Sequence, residues 1–86
     1  HKVLRADKEI HLSAKEFSLL RYMMQNTGIV LSREKLEQHI WNYDYSGESN
    51  VIDVYIRYLR KKIDEGHAHK LLHTIRGVGY VLKVDV

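Results

Sequence analysis

The 86-residue chain contains no cysteine. That excludes a disulfide framework and any metal site built on thiolates, and it fits a reducing compartment such as the cytoplasm. Proline is absent too, and no low-complexity stretch or internal repeat interrupts the sequence. No apolar run approaches the roughly 20 residues that a membrane-spanning helix needs. No signal peptide opens the chain. The short motifs of catalysis are also missing: there is no G-x-S-x-G elbow, Walker phosphate loop or H-E-x-x-H signature. Catalysis would need a nucleophile beside an oriented base, or an acid pair in a pocket, and nothing in the chain suggests either. The expectation is a single small domain without enzymatic activity, with one core of modest stability. A content of 44% apolar and 29% charged residues is ordinary for a folded domain and too apolar for a disordered one.

What is present is an uneven distribution of charge. Basic and acidic residues cancel over positions 1–49, seven of each. Over positions 50–83, seven basic residues (Arg57, Arg60, Lys61, Lys62, Lys70, Arg76 and Lys83) face three acids, Asp53, Asp64 and Glu65. A polyanionic partner needs such an asymmetry. A plainer alternative is that Arg60, Lys61 and Lys62 complement the C-terminal end of a helix.

Local patterns divide the chain into short strands, three helices and a terminal hairpin. Val3–Leu4 and Ile10–Leu12 flank the polar turn Ala6-Asp7-Lys8 and read as strands. Ser13-Ala14-Lys15-Glu16 has capping-box spacing and opens the first helix. Its apolar stripe is Phe17, Leu20 and Met24, widened by Leu19 and Met23, and Gly28 suits a left-handed stop. Ile29-Val30-Leu31 reads as a strand. Ser32 caps a second helix whose inner face is Leu36 and Ile40. A polar loop over 42–49 comes next. A third helix then runs from Asn50, with Asp53 as a capping partner, to Asp64 or Glu65, stopped by Gly66. Leu71–Ile75 and Tyr80–Val84 are β-rich, and Gly77-Val78-Gly79 allows a tight reversal between them.

The third helix has two faces. At roughly 100° per residue, Ile56, Leu59 and Ile63 fall within about 40° of Ile52 and form a core stripe. The reverse side carries Asn50, Val54, Arg57, Tyr58 and Lys61, with Val51 and Asp53 on the flanks. Arg and Asn can make bidentate bonds to base edges, a small aliphatic can meet a thymine methyl, and a helix fits the major groove. Lysine supplies phosphate charge. Arg76, at the hairpin tip, suits a narrow minor groove, where the potential is most negative.

Four segments in this order resemble the C-terminal effector domain of OmpR/PhoB-type response regulators. They are Leu12-Ser13-x-x-Glu16-Phe17-x-Leu19-Leu20, Ser32-Arg33-Glu34-x-Leu36 to Ile40-Trp41, the helix Val51–Ile63, and His73-Thr74-Ile75-Arg76-Gly77-Val78-Gly79-Tyr80. The resemblance implies an α+β winged helix-turn-helix, with three helices, a short N-terminal antiparallel sheet and a C-terminal β-hairpin wing. It implies sequence-specific binding of double-stranded DNA for transcriptional regulation, as the output domain of a cytoplasmic two-component system. Base reading falls to Val51, Val54, Arg57 and Tyr58. Phosphate contacts fall to Trp41, Asn50, Tyr55, Arg60, Thr74 and Tyr80, to which the helix face adds Lys61, and the minor groove to Arg76. The loop with Asn42, Tyr43, Asp44 and Tyr45 is associated in this family with contact to RNA polymerase, and two copies are expected on direct repeats of DNA. Many members carry arginine at Asn50 and histidine at Tyr55; Asn50 lacks that arginine's phosphate charge, which should reduce the salt dependence of binding somewhat. The receiver domain lies outside this sequence, which opens abruptly at His1 with only 12 residues before Ser13 and reads as an isolated effector domain.

No cofactor is implied. His67-x-His69 with His73 offers imidazoles, but solvated loop histidines are the commoner explanation, and no metal is expected. A winged helix that binds only protein, through Trp41, Tyr43 and Tyr45, is the main alternative; it has no need of Arg57, Lys61 and Arg76 together. RNA binding is disfavoured because no exposed strand platform of aromatics is evident.

Overall fold

The computed structural model describes residues 3–40 and 51–84. Strands β1 (Val3–Arg5) and β2 (Lys8–Ile10) form an antiparallel hairpin with Arg5 opposite Lys8. Only Ala6 and Asp7 form its turn, at φ 52° and 64°, the left-handed pair that two-residue hairpins require. Lys8 therefore belongs to the ladder and not to the turn, and β2 stops before His11 and Leu12.

Helix α1 (Ala14–Gln25) begins with the expected box: Ser13 Oγ accepts from the Glu16 N–H at 3.2 Å, and Glu16 Oε1 accepts from the Ser13 N–H at 2.9 Å. Its buried face is Glu16, Leu19, Leu20 and Met23, one residue out of phase with the expected stripe. Met24 is 59% exposed and Phe17 half-buried. Apolar residues at 17, 19, 20, 23 and 24 allow either phase, and the charge on Glu16 conceals the true one. Burial of that carboxylate is made tolerable by Lys62, whose Nζ donates to it at 2.6 Å.

The chain turns at Gly28, at φ 84°, whose N–H donates to the Leu82 carbonyl at 2.9 Å. Ile29 and Val30 stay exposed and outside any ladder; strand β3 is only Leu31–Ser32. Ser32 Oγ then accepts from the Lys35 N–H at 3.1 Å and caps α2 (Arg33–Ile40). Leu36 is fully buried, whereas the side chain of Ile40 lies outside what the structure describes.

Helix α3 spans Val51–Leu59 and buries Ile52, Ile56 and Leu59. The α-helix does not continue unbroken to Asp64. Residues Arg60–Asp64 form a π-helical turn, closed by the Glu65 N–H on the Arg60 carbonyl at 3.0 Å. On a regular helix Asp64 would fall about 120° from Ile52. The wider turn rotates less per residue and carries Asp64 back towards the core. Gly66, at φ 85°, ends the segment as expected.

Strands β4 (Leu72–Ile75) and β5 (Gly79–Leu82) form the terminal hairpin, and the sheet order is β3-β5-β4. Thr74 lies opposite Tyr80 on one side of β5, and Leu31 opposite Tyr80 on the other. The hairpin is thus sewn into the body of the domain by its second strand. Gly79 serves this junction and not the reversal. A Cβ there would stand 2.0 Å from the Leu31 carbonyl oxygen, so only glycine lets β3 approach. The reversal is made by Arg76-Gly77-Val78, with Gly77 at φ 76°.

Arg5 secures the N-terminal hairpin to the far end of the chain. It donates to Asp64 Oδ1 at 2.8 Å, to the His69 carbonyl at 2.6 Å and to the Ile63 carbonyl. Asp64 also accepts the N–H groups of Leu71 and Leu72 at 3.0 and 3.1 Å. Three helices around one core, with a β-hairpin wing beside α3 and a small sheet at the N-terminus, make a winged helix.

Candidate nucleic-acid interface

Ile52 and Ile56 turn inward on α3, so the helix must offer its other side to solvent. Arg57 and Tyr58 are exposed, and Val51 and Val54 half-buried. Tyr55 is also half-buried and packs against the core while its ring meets Tyr58 edge to face, centroids 6.0 Å apart. It sits at the rim between the two faces, as the helical periodicity requires. Lys61 is exposed on the π turn.

The wing is tied to α3 at two points. Near the C-terminal end of α3, Arg60 donates to Thr74 Oγ1 and lies over the Tyr80 ring, 5.7 Å from its centroid. Its Nε also points to the Leu72 carbonyl at 3.4 Å. Near the N-terminal end, Asp53 Oδ1 accepts both the Tyr80 hydroxyl and Arg33 Nε, the latter at 3.0 Å. Arg76 stands exposed at the tip of the hairpin.

Tyr80, one of the expected phosphate contacts, is anchored to α3. Its side chain is buried, with the residue 5% exposed, and its hydroxyl is committed to Asp53, so it supports the wing from within. Burial, then the bond to the Asp53 carboxylate, raises the Tyr80 pKa, against the opposing effect of Arg33. The hydroxyl therefore stays protonated and able to donate at neutral pH. The neighbouring Tyr80 oxygen and the Asp53 carboxylate in turn hold the Arg33 guanidinium above its usual value.

Packing sharpens the charge asymmetry. Two acids of the second half are taken up by bases from the first: Asp53 by Arg33 and Asp64 by Arg5. Some bases are likewise committed. Lys62 pairs with Glu16, and Lys70 donates to the carbonyls of Asp64 and His67 at 2.9 and 2.8 Å, closing the helix end. Arg57, Lys61 and Arg76 have no partner among the described residues. Among the described residues, the face with an open helix surface and a basic wing tip thus keeps uncompensated positive charge.

Six expected contact positions, Trp41, Asn42, Tyr43, Asp44, Tyr45 and Asn50, lie outside the described residues, as does the Asn50–Asp53 cap. The histidines do not converge. His67 and His69 contribute backbone carbonyls to Lys70 and Arg5, and His73 is a β4 residue opposite Val81, its Nε2 buried without a partner among the described residues. No helix among the described residues is long and apolar enough to cross a membrane. Local sequence patterns do not reveal Arg33 or the bridging role of Asp53, because 20 positions separate these two and 27 separate Asp53 from Tyr80.

Residues 7–82 match the family described as "Transcriptional regulatory protein, C terminal". The chain is 51% identical over 82 residues to the uncharacterized transcriptional regulatory protein YkoG of Bacillus subtilis, covering 95% of this chain and 36% of that protein. The chain spans about a third of the length of the curated relatives it matches. Among solved structures, the response regulator DrrB, a Thermotoga maritima OmpR/PhoB homolog, superposes with a TM-score of 0.84 at 35% identity, over 95% of this chain and 37% of that one. The DNA-binding domain of the response regulator AdeR, solved in complex with an intercistronic region, gives a TM-score of 0.84 at 29% identity, over 96% of this chain and 85% of that one.

Proposed function

Because the chain belongs to the C-terminal domain family of transcriptional regulatory proteins, and within it to the OmpR/PhoB group of response-regulator DNA-binding domains, we propose that it reads duplex DNA sequence-specifically as the output half of a cytoplasmic two-component regulator. The observation that carries this reading is the split of α3. Its isoleucines are buried, its one acid, Asp53, is paired with Arg33, and its outward side presents Val54, Arg57 and Tyr58.

In this reading α3 lies in the major groove. Arg57 forms a bidentate bond to a base edge, while Val51 and Val54 meet methyl groups and Tyr58 the adjoining base. Lys61, Arg60, Thr74 and Tyr55 face phosphates, as do Trp41 and Asn50; these contacts set orientation and not sequence. Arg76 enters the neighbouring minor groove and prefers it narrow and A·T-rich. Tyr80 holds the wing in place and joins the phosphate contacts. The segment 42–49 is the contact for RNA polymerase, and two copies occupy a direct repeat once receiver domains bring them together. An isolated domain then binds weakly and as a monomer.

Selection of bound sequences from random duplexes tests this directly. The expected result is a short recurrent motif, in tandem copies when the full-length protein is used. Recovery of no motif, with equal retention of all duplexes, rejects the reading.

A further inference from the structure

A single carboxylate joins three elements of this fold. Asp53, on the first turn of α3, accepts Arg33 from the first turn of α2 and the Tyr80 hydroxyl from β5. Tyr80 occupies the middle strand of the sheet, hydrogen-bonded to β3 and β4 on either side, and lies four residues beyond Arg76 along the hairpin. The same ring lies under Arg60. A rigid aromatic side chain is therefore held twice by the helix, polar at its hydroxyl and cationic over its face. The ladder bonds place the ring within the sheet, and its two contacts with the helix tie that sheet position to α3. The hydroxyl bond to a charged acceptor adds direction, which is what a fixed angle between helix and hairpin requires.

We propose that Asp53 is a positioning residue that sets the wing at a fixed distance from α3, and so fixes the number of base pairs between the bases read by the helix and the minor groove entered by Arg76. The proposal rests on the DNA reading above. It gives Asp53 no contact with DNA: its Oδ1 is committed to Arg33 and Tyr80, and its action is felt only through Arg76. An interaction that merely stabilised the fold would weaken all binding alike. A positioning interaction loosens the flank preference while the motif read by α3 survives.

The test uses the full chain with a duplex carrying the selected motif, its flank either A·T-rich or G·C-rich, and compares wild type, Tyr80→Phe, Asp53→Ala, the double variant and Arg76→Ala. Tyr80→Phe removes one oxygen and keeps the ring under Arg60, so it remains informative if Asp53→Ala, which strands a buried hydroxyl, fails to fold. The ratio of affinities for the two flanks is expected to fall in Tyr80→Phe to within about twofold of its value in Arg76→Ala. The ratio between motif and scrambled motif should stay near that of the wild type. Where Asp53→Ala folds, the double variant should lose no more flank preference than either single one, since both break the same bond. A wild-type flank ratio in Tyr80→Phe overturns the proposal and leaves the DNA reading intact. Equal loss of motif and flank preference also overturns it, in favour of a general structural role. A wild-type protein without any motif preference sinks the DNA reading itself, and the proposal with it.

Discussion

Ile56 is 1% exposed and Arg57, the next residue along α3, stands in solvent without a partner among the described residues. The same contrast runs the length of the helix. Its inner side is closed: a polar group that enters, such as Asp64, is met by Arg5 and two backbone N–H groups. Its outer side is open, with cations left unmatched among the described residues. A solvated face carries charge on any amphipathic helix, so the partner is inferred from the family and from the wing tip beside it. If the proposed function holds, the inner side serves stability and the outer side a partner, and substitutions should separate them.

The largest effect is expected from Ile56→Asp, which puts an unpaired carboxylate into the core and should abolish cooperative unfolding in a thermal melt. A soluble, cooperative variant would mean that the inner side has been misplaced. Next comes Asp64→Ala. It strands Arg5 and the N–H groups of Leu71 and Leu72, and a cost of about 3–5 kcal/mol is expected in chemical denaturation. Both changes act through folding, and whatever DNA affinity they lose should track the unfolded fraction.

Arg57→Ala should do the reverse. It is expected to leave the melting temperature nearly unchanged while costing about 1–3 kcal/mol in binding and relaxing the preference at one base pair. Equal loss on specific and random duplexes, measured by titration, would remove Arg57 from base reading. Lys61→Ala should weaken all duplexes alike and lower the slope of log affinity against log salt by about one.

Glu16 belongs to the closed side and should reveal itself by pH. Burial pushes its pKa up, but the bonds from Lys62 and from the Ser13 N–H together outweigh that and hold the carboxyl below its ordinary value of 4.5. A carboxyl depressed in the folded state contributes stability above its unfolded pKa and loses it as pH falls through the folded one. Stability of the wild type should therefore decline on acidification below about pH 4.5, and Glu16→Gln should show a shallower decline over the same range in melts at stepped pH.

Legibility in the sequence depended on range. The Ser13 box spans four residues and was readable, as were the Ser32 cap, the isoleucine stripe and the stops at Gly28 and Gly66, because each is fixed by neighbours on one helix or turn. The phase of α1 was not, since its apolar residues satisfy two registers and only Lys62, 46 positions away, selects the one that buries Glu16. The π turn was invisible for a similar reason: it delivers Asp64 to Arg5, 59 positions away. Gly79 looked like a turn residue and proved to be a close-approach residue, a distinction that requires knowing that β3 passes beside it. Of the candidate site, the outward set on α3 and the wing-tip arginine could be placed from periodicity and turn chemistry. The burial of Tyr80 and its bond to Asp53 could not, because pairing of β5 with β3 is a tertiary fact.

The most direct trial of the central claim is amide and side-chain shift mapping of the labelled domain titrated with its selected duplex. Perturbations should concentrate at Val54, Arg57, Tyr58 and Arg76 and spare Ile52, Ile56 and the α1 core around Met23. Unmoved signals at those four positions, with the duplex bound elsewhere or not at all, would contradict the assignment of the open side of α3 to DNA.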